Sequence, residues 1–140
     1  MWYNPFLSMI LHSPLHSLLS GNLLALTYTG RKSGRTYTTP VNYVRDGDHL
    51  WATSYRTRTW WRNLCGGVPV SLQLQGRRVQ ATGQVLEDEV AVAEALSAYL
   101  SQVPGWAKYF KVGLKANGQP DHNDLARAAK ERVMIQFRLR

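Results

Sequence analysis

The spacing of apolar residues changes at Gly21. Upstream, Leu7, Ile10, Leu11, Leu15, Leu18 and Leu19 recur at helical intervals, interrupted by Asn4, Pro5, Ser8, His12, Pro14, His16 and Ser17. This predicts a helical segment over about 1–20, bent at Pro14 and packed over the core. It holds no apolar run near the roughly 18 residues of a spanning helix. It also has no Lys or Arg for a secretory leader or a basic anchoring face. Downstream the period shortens to two. Strands are predicted at Leu23–Thr29, Thr36–Arg45, His49–Ser54, Val70–Gln75, Val79–Leu86 and Arg132–Leu139. Gly30 to Gly34, Asp46-Gly47 and Gly76 mark the turns between them. Pro40 inside the second strand implies an edge position or a bulge. Thr59–Leu64 reads as a short helix, closed by Gly66-Gly67 and Pro69. Glu87–Val103 reads as a full helix stopped by Pro104-Gly105, and Asp121–Lys130 as another with Asp121 as its N-cap. Trp106 to Leu114 fits neither period.

Short connections force antiparallel neighbours, since parallel ones need crossovers of a dozen or more residues. Six such strands avoid bare edges by curling into a small barrel. The expectation is one mainly β domain over 1–140, with flanking helices and a six-stranded, mostly antiparallel barrel.

Composition narrows the class. With 44% hydrophobic and 19% charged residues the chain is an ordinary globular one, which excludes a disordered or fibrous protein. One cysteine, Cys65, excludes an internal disulfide framework and a Cys-based zinc site, so a cytoplasmic protein is expected. Charge adds a partner class: 17 Lys+Arg against 9 Asp+Glu leave a net +8, a field that attracts nucleic acid, acidic lipid or a phosphorylated small molecule.

Two segments carry candidate chemistry. Gly30-Arg31-Lys32-Ser33-Gly34-Arg35 puts three cations and a hydroxyl between glycines that let backbone N–H groups face an anion. The plainer reading is a solvated basic turn, and the spacing is not that of a Walker A loop. Ser54 to Asn63 mixes Arg, hydroxyl and aromatic residues, which suits a planar anionic ligand or a single-stranded nucleic acid. Trp60 and Trp61 project about 100° apart on a helical turn, so at most one faces the core fully. Elsewhere the usual constellations are missing. His12 and His16 are separated by Pro14 with no carboxylate near, no Ser sits in a GxSxG elbow, and no metal site is expected. Chemistry, if any, belongs to a cofactor.

The order TGRKSGRTYTTPVNYVRDGDHLWATS, RTWWRNL, GG and VSLQLQGRRVQATGQVLED resembles the deazaflavin-dependent nitroreductase family of flavin/deazaflavin oxidoreductases, over about Leu23 to Leu86. The resemblance implies a split β-barrel of the pyridoxamine-phosphate-oxidase-like, FMN-binding kind. It implies coenzyme F-420, a 5-deazaflavin with a phosphodiester and an acidic oligoglutamate tail. Arg31, Lys32, Ser33 and Arg35 match the family's phosphate-and-tail loop. Thr38, Thr39, Pro40 and Val41 match the strand along the ring, and Ala52, Thr53 and Ser54 the strand end beside it. Trp60, Trp61 and Asn63 match the helix closing the pocket. Many relatives carry Lys directly after the serine; here Tyr55 follows, and Arg56 is the nearest cation.

The resulting expectation is a deazaflavin-dependent oxidoreductase of the nitroreductase or quinone-reductase type. It would pass hydride to a quinone, nitroaromatic or enone, with Tyr109, or else Tyr99, as proton donor. FMN in the same barrel is the alternative cofactor. The rival from another class is a non-catalytic cofactor carrier or nucleic-acid-binding module, although no nucleic-acid partner is expected. Peripheral membrane association and the choice between monomer and homodimer stay open.

Overall fold

The computed structural model describes residues 22–140, so the expected N-terminal segment over about 1–20 lies outside the described residues. Seven strands form one sheet: β1 (Leu23–Thr29), β2 (Thr36–Asn42), β3 (Val44–Asp46), β4 (His49–Tyr55), β5 (Val68–Leu74), β6 (Arg77–Leu86) and β7 (Arg132–Leu139). Helix α1 spans Glu89–Gln102 and α2 spans His122–Glu131, and two 3-10 helices cover Trp60–Leu64 and Pro104–Phe110. The sheet order is β2-β1-β5-β6-β7-β4-β3, antiparallel throughout.

The expected strand Thr36–Arg45 is in fact two, so the count among the described residues is seven rather than six. Tyr43 leaves the ladder because Asn22 takes both its backbone groups. The Tyr43 N–H donates to the Asn22 carbonyl at 2.8 Å, and the Asn22 side-chain amide donates to the Tyr43 carbonyl at 3.1 Å. β2 lies at one edge of the sheet and β3 at the other. One residue joins them, a reach of about 7 Å. The two edges must therefore meet, and the sheet closes on itself as a barrel. Continuing the β3–β4 register would set Asn42 opposite Thr53 and Val41 opposite Ser54, but pairing stops at Val44↔Trp51. Beyond that point β2 and β4 part, and the barrel is split there. Pro40 sits on this edge strand, where its missing N–H costs no ladder bond.

The apolar residues divide between the two faces. Leu26, Leu50, Leu72, Ile135 and Phe137 fill the barrel, while Val92, Leu96, Leu100, Leu125 and Met134 join α1 and α2 to the outer face. β7 (RVMIQFRL) is apolar at consecutive positions because it is covered on both sides. Gln75 and Gly76, both at positive φ, make the two-residue turn between β5 and β6. The β3–β4 loop is Gly47-Asp48, one residue later than the sequence suggests. Asp88 caps α1 by accepting the Ala91 N–H at 3.0 Å, so this helix starts two residues later than expected. Asp121 caps α2 as expected, accepting the Asp124 N–H at 3.0 Å. The ambiguous stretch after Pro104 is the second 3-10 helix, ended by Lys111 in the left-handed region (φ 57°). Among the described residues no helix is long and apolar enough to cross a membrane.

Candidate functional site

A cleft of about 650 Å³ opens where β2 and β4 part. Thr39 to Asn42 of β2 form one wall, and Thr53, Ser54 and Tyr55 at the end of β4 form the other, with Arg132 of β7 beside them. Arg58 and Trp60 also line it, as do Tyr99 of α1 and Gly105, Trp106, Lys108, Tyr109 and Phe110. An edge strand turns alternate N–H and C=O groups away from its single neighbour. Here those groups border the cleft, which suits a flat molecule with a polar edge.

The tryptophan pair divides as its geometry requires. Trp61 is 4% exposed, sits in the barrel core, and donates its indole N–H to the Tyr55 carbonyl at 3.2 Å. Trp60 is half-buried against Tyr28 (ring centroids 6.4 Å apart) and shows its other side to the cleft.

The basic loop is built tightly. Gly30 donates its N–H to the Arg35 carbonyl at 2.8 Å and accepts from Gly34 at 2.9 Å. A Cβ at Gly30 would lie 2.8 Å from Ser33 Oγ and 2.9 Å from the Tyr37 ring, so any larger residue would have to push these side chains aside. The Arg31 N–H donates to Asn63 Oδ1 (2.9 Å), Asn63 Nδ2 donates to the Trp60 carbonyl (3.0 Å), and Arg31 Nη1 donates to the Arg62 carbonyl (3.1 Å). Asn63 thus ties the loop to the turn that carries Trp60. Arg31, Lys32, Ser33 and Arg35 are all exposed on this loop.

Of the residues singled out in the sequence, Thr39, Pro40, Val41, Thr53, Ser54, Trp60, Tyr99 and Tyr109 meet in the cleft. Others do not line it. Ala52 is buried in the barrel, and the Thr38 hydroxyl lies 3.0 Å from that of Thr27. Arg56 is turned the other way: its Nη2 donates to the carbonyls of Glu87 (2.6 Å) and Ala129 (3.0 Å). Tyr99 is 3% exposed, and burial pushes its phenol well above the usual tyrosine range, so it gives up a proton reluctantly. Tyr109, at 68% exposed, stands at the rim.

Sequence reasoning missed Arg132, Trp106 and Phe110. Arg132 is 8% exposed, its guanidinium 4.1 Å from the Tyr55 ring centre and 4.2 Å from that of Phe110. Burial draws its pKa down, while the neighbouring Tyr55, Tyr99 and Glu131 pull it back up. One signal was available: an arginine heading a strand that is otherwise apolar at consecutive positions. Trp106 and Phe110 carried no periodic signal, because the 3-10 helix that holds them is a single short stretch.

Comparison with known proteins agrees with this architecture. Among solved structures, a conserved hypothetical protein from Mycobacterium tuberculosis aligns at 14% identity and TM-score 0.60, covering 91% of this chain and 81% of its own. An FAD and heme binding protein from Mycobacterium smegmatis aligns at 17% identity and TM-score 0.55 over 89% of this chain and 69% of its own. A putative pyridoxamine 5'-phosphate oxidase from Listeria innocua aligns at 13% identity and TM-score 0.52, covering 89% of each chain. These likenesses show the shared split-barrel fold. No curated protein matches the chain significantly. The family described as F420H(2)-dependent quinone reductase matches residues 12–112, which take in β1 to β6, α1 and the second 3-10 helix. On that match, which covers most of its length, the chain belongs to the quinone reductase family that depends on reduced coenzyme F-420.

Proposed function

We propose that this deazaflavin-dependent oxidoreductase binds its coenzyme with the ring in the β2–β4 cleft and the acidic tail on the Gly30–Arg35 loop, and reduces a quinone-type acceptor beside it. One observation carries the reading: Asn63 couples the basic loop to the turn bearing Trp60, so an anion site and an aromatic-walled cleft form one unit. The residues present fit the coenzyme. Its ring is planar with a polar edge, which matches the backbone of an edge strand facing Trp60. Its tail is acidic, which matches three exposed cations on a structured loop.

The reduced coenzyme supplies a hydride; the chain supplies position and surroundings. β2 would hold the ring by its edge, and Arg31, Lys32 and Arg35 would hold the tail. Trp60, Trp106 and Phe110 keep water from the cleft, which strengthens every charge interaction within it. Tyr109, exposed at the rim, would pass a proton and recover it from bulk water. Nitroaromatics and enones share the electron-poor character of quinones and would be alternative acceptors.

The test is a titration of purified protein with oxidised coenzyme F-420 and, separately, with FMN. Preference for the deazaflavin, and a loss of roughly 2–4 kcal/mol of affinity in the Arg31→Ala/Lys32→Ala double variant, is expected from charge-assisted hydrogen bonds. Unchanged affinity in the double variant removes the loop from the site. Tighter binding of FMN removes the tail argument.

A further inference from the structure

Arg132 stands apart from the other cations of the chain. It heads β7 opposite Tyr55, and its guanidinium lies against two aromatic rings, Tyr55 at 4.1 Å and Phe110 at 4.2 Å. Both rings lie within cation–π reach of the guanidinium, and the Tyr55 side chain also hydrogen-bonds it. Arg132 forms no ion pair among the described residues, where Arg127–Glu131 is the pair present. It nevertheless lines the cleft. A nearly buried cation without a carboxylate partner is costly to keep unless an anion visits it. The two other cations of the cleft, Arg58 and Lys108, are exposed, so water and salt screen their fields.

We infer that Arg132 receives the negative oxygen formed on the acceptor. This rests on the reading of the cleft given above. Addition of hydride to a quinone brings in two electrons and one hydrogen, makes the ring aromatic, and leaves one oxygen negative as a hydroquinone monoanion. A proton, of which the reduced coenzyme releases one in the same turnover, then completes the hydroquinone. The charge exists on the product side and not on the neutral quinone. A fixed cation at that oxygen therefore favours the transition state over the bound substrate. The coenzyme's tail is served elsewhere, by the loop tethered to Asn63. Arg132 is left for the acceptor.

The experiment uses 4-nitrophenol, which colours only as its anion, titrated by absorbance on the coenzyme-free protein. The groups facing Arg132 are Tyr55 from β4, Tyr99 from α1 and Glu131 from α2, and these are unchanged in the variants compared. Bound to the wild type, the probe should ionise about one to three pH units lower than in solution. That shift should survive about 0.5 M salt, whereas contributions from Arg58 and Lys108 fade. Arg132→Met should abolish the shift, Arg132→Lys should keep part of it, and both should bind oxidised coenzyme F-420 as the wild type does. A probe pKa unshifted in the wild type, a shift lost in salt, or a shift unchanged in Arg132→Met overturns the inference. So does an Arg132→Met variant whose coenzyme affinity falls as far as that of the loop double variant. The wild-type shift and its salt resistance decide the matter even if Arg132→Met does not fold. Failure of the wild type to bind coenzyme F-420 would instead sink the reading of the cleft.

Discussion

Trp60 and Trp61 are neighbours in sequence with different environments, and truncation separates them. Trp61→Ala should cost roughly 3–5 kcal/mol of stability in urea unfolding, as expected for a large core side chain. Trp60→Ala should leave most of the stability and raise the dissociation constant for the coenzyme. Equal destabilisation by both would make the pair purely structural. Tyr99 predicts a pH dependence. Its folded pKa lies above the 10.0 of an ordinary phenol because burial disfavours the charged form. Below pH 10 both the folded and the unfolded chain keep the proton, and its stabilising effect is fully present. Above pH 10 the unfolded chain releases the proton first, so stability falls by up to about 1.4 kcal/mol per pH unit. Urea midpoints between pH 9 and pH 11 should show this decline, and Tyr99→Phe should flatten it. A slope unchanged in Tyr99→Phe would place the effect at another phenol, such as Tyr28, which burial also raises. At this scale the cleft was partly legible in the sequence. Thr39 to Val41 and Trp60 stand in a recognisable order, whereas Arg132 lies 72 positions beyond Trp60 and meets the cleft only through pairing of β7 with β4.

Strands and turns were more legible than the break between them. The hairpins β3–β4 and β5–β6 announce themselves through Gly47 and Gly76, because positive φ restricts the residues those positions accept. The break at Tyr43 has no such local mark. Its alternation with Val41 continues the strand pattern, since both side chains face the barrel. What ends β2 is Asn22, a residue 21 positions away, and no local rule reports that contact. Asn22→Ala should therefore remove the side-chain hydrogen bond that fixes the point where the barrel splits. A loss of about 1 kcal/mol is expected, together with faster amide exchange at Tyr43 and weaker coenzyme binding. Intact exchange protection at Tyr43 would show that the backbone bond alone holds the seam.

Across the whole molecule the net +8 is a long-range field with a local focus. A nucleic-acid track would spread its cations along a surface, whereas a tailed coenzyme needs them at one mouth. Arg31, Lys32 and Arg35 share the loop, while Arg62 lies beneath it and hands its carbonyl to Arg31. Coenzyme with a longer glutamate tail should bind more tightly at low salt, and the advantage should vanish by about 0.5 M. An oligonucleotide that outcompetes the deazaflavin at physiological salt would contradict this reading. The barrel followed from the hairpin spacing and the avoidance of bare edges, but the order of strands around it did not, because that order depends on pairings distant in the chain. That neighbour list bears on how the protein is made. β7 sits between β6 and β4 and supplies the barrel core with Val133, Ile135 and Phe137, yet it follows every other strand in the chain. While the ribosome is still adding residues 132–139, the earlier hairpins exist without the strand that joins them, and β4 exposes its bare edge. The nascent chain thus exposes an open sheet until synthesis passes β7, and that interval is when a chaperone has most to do.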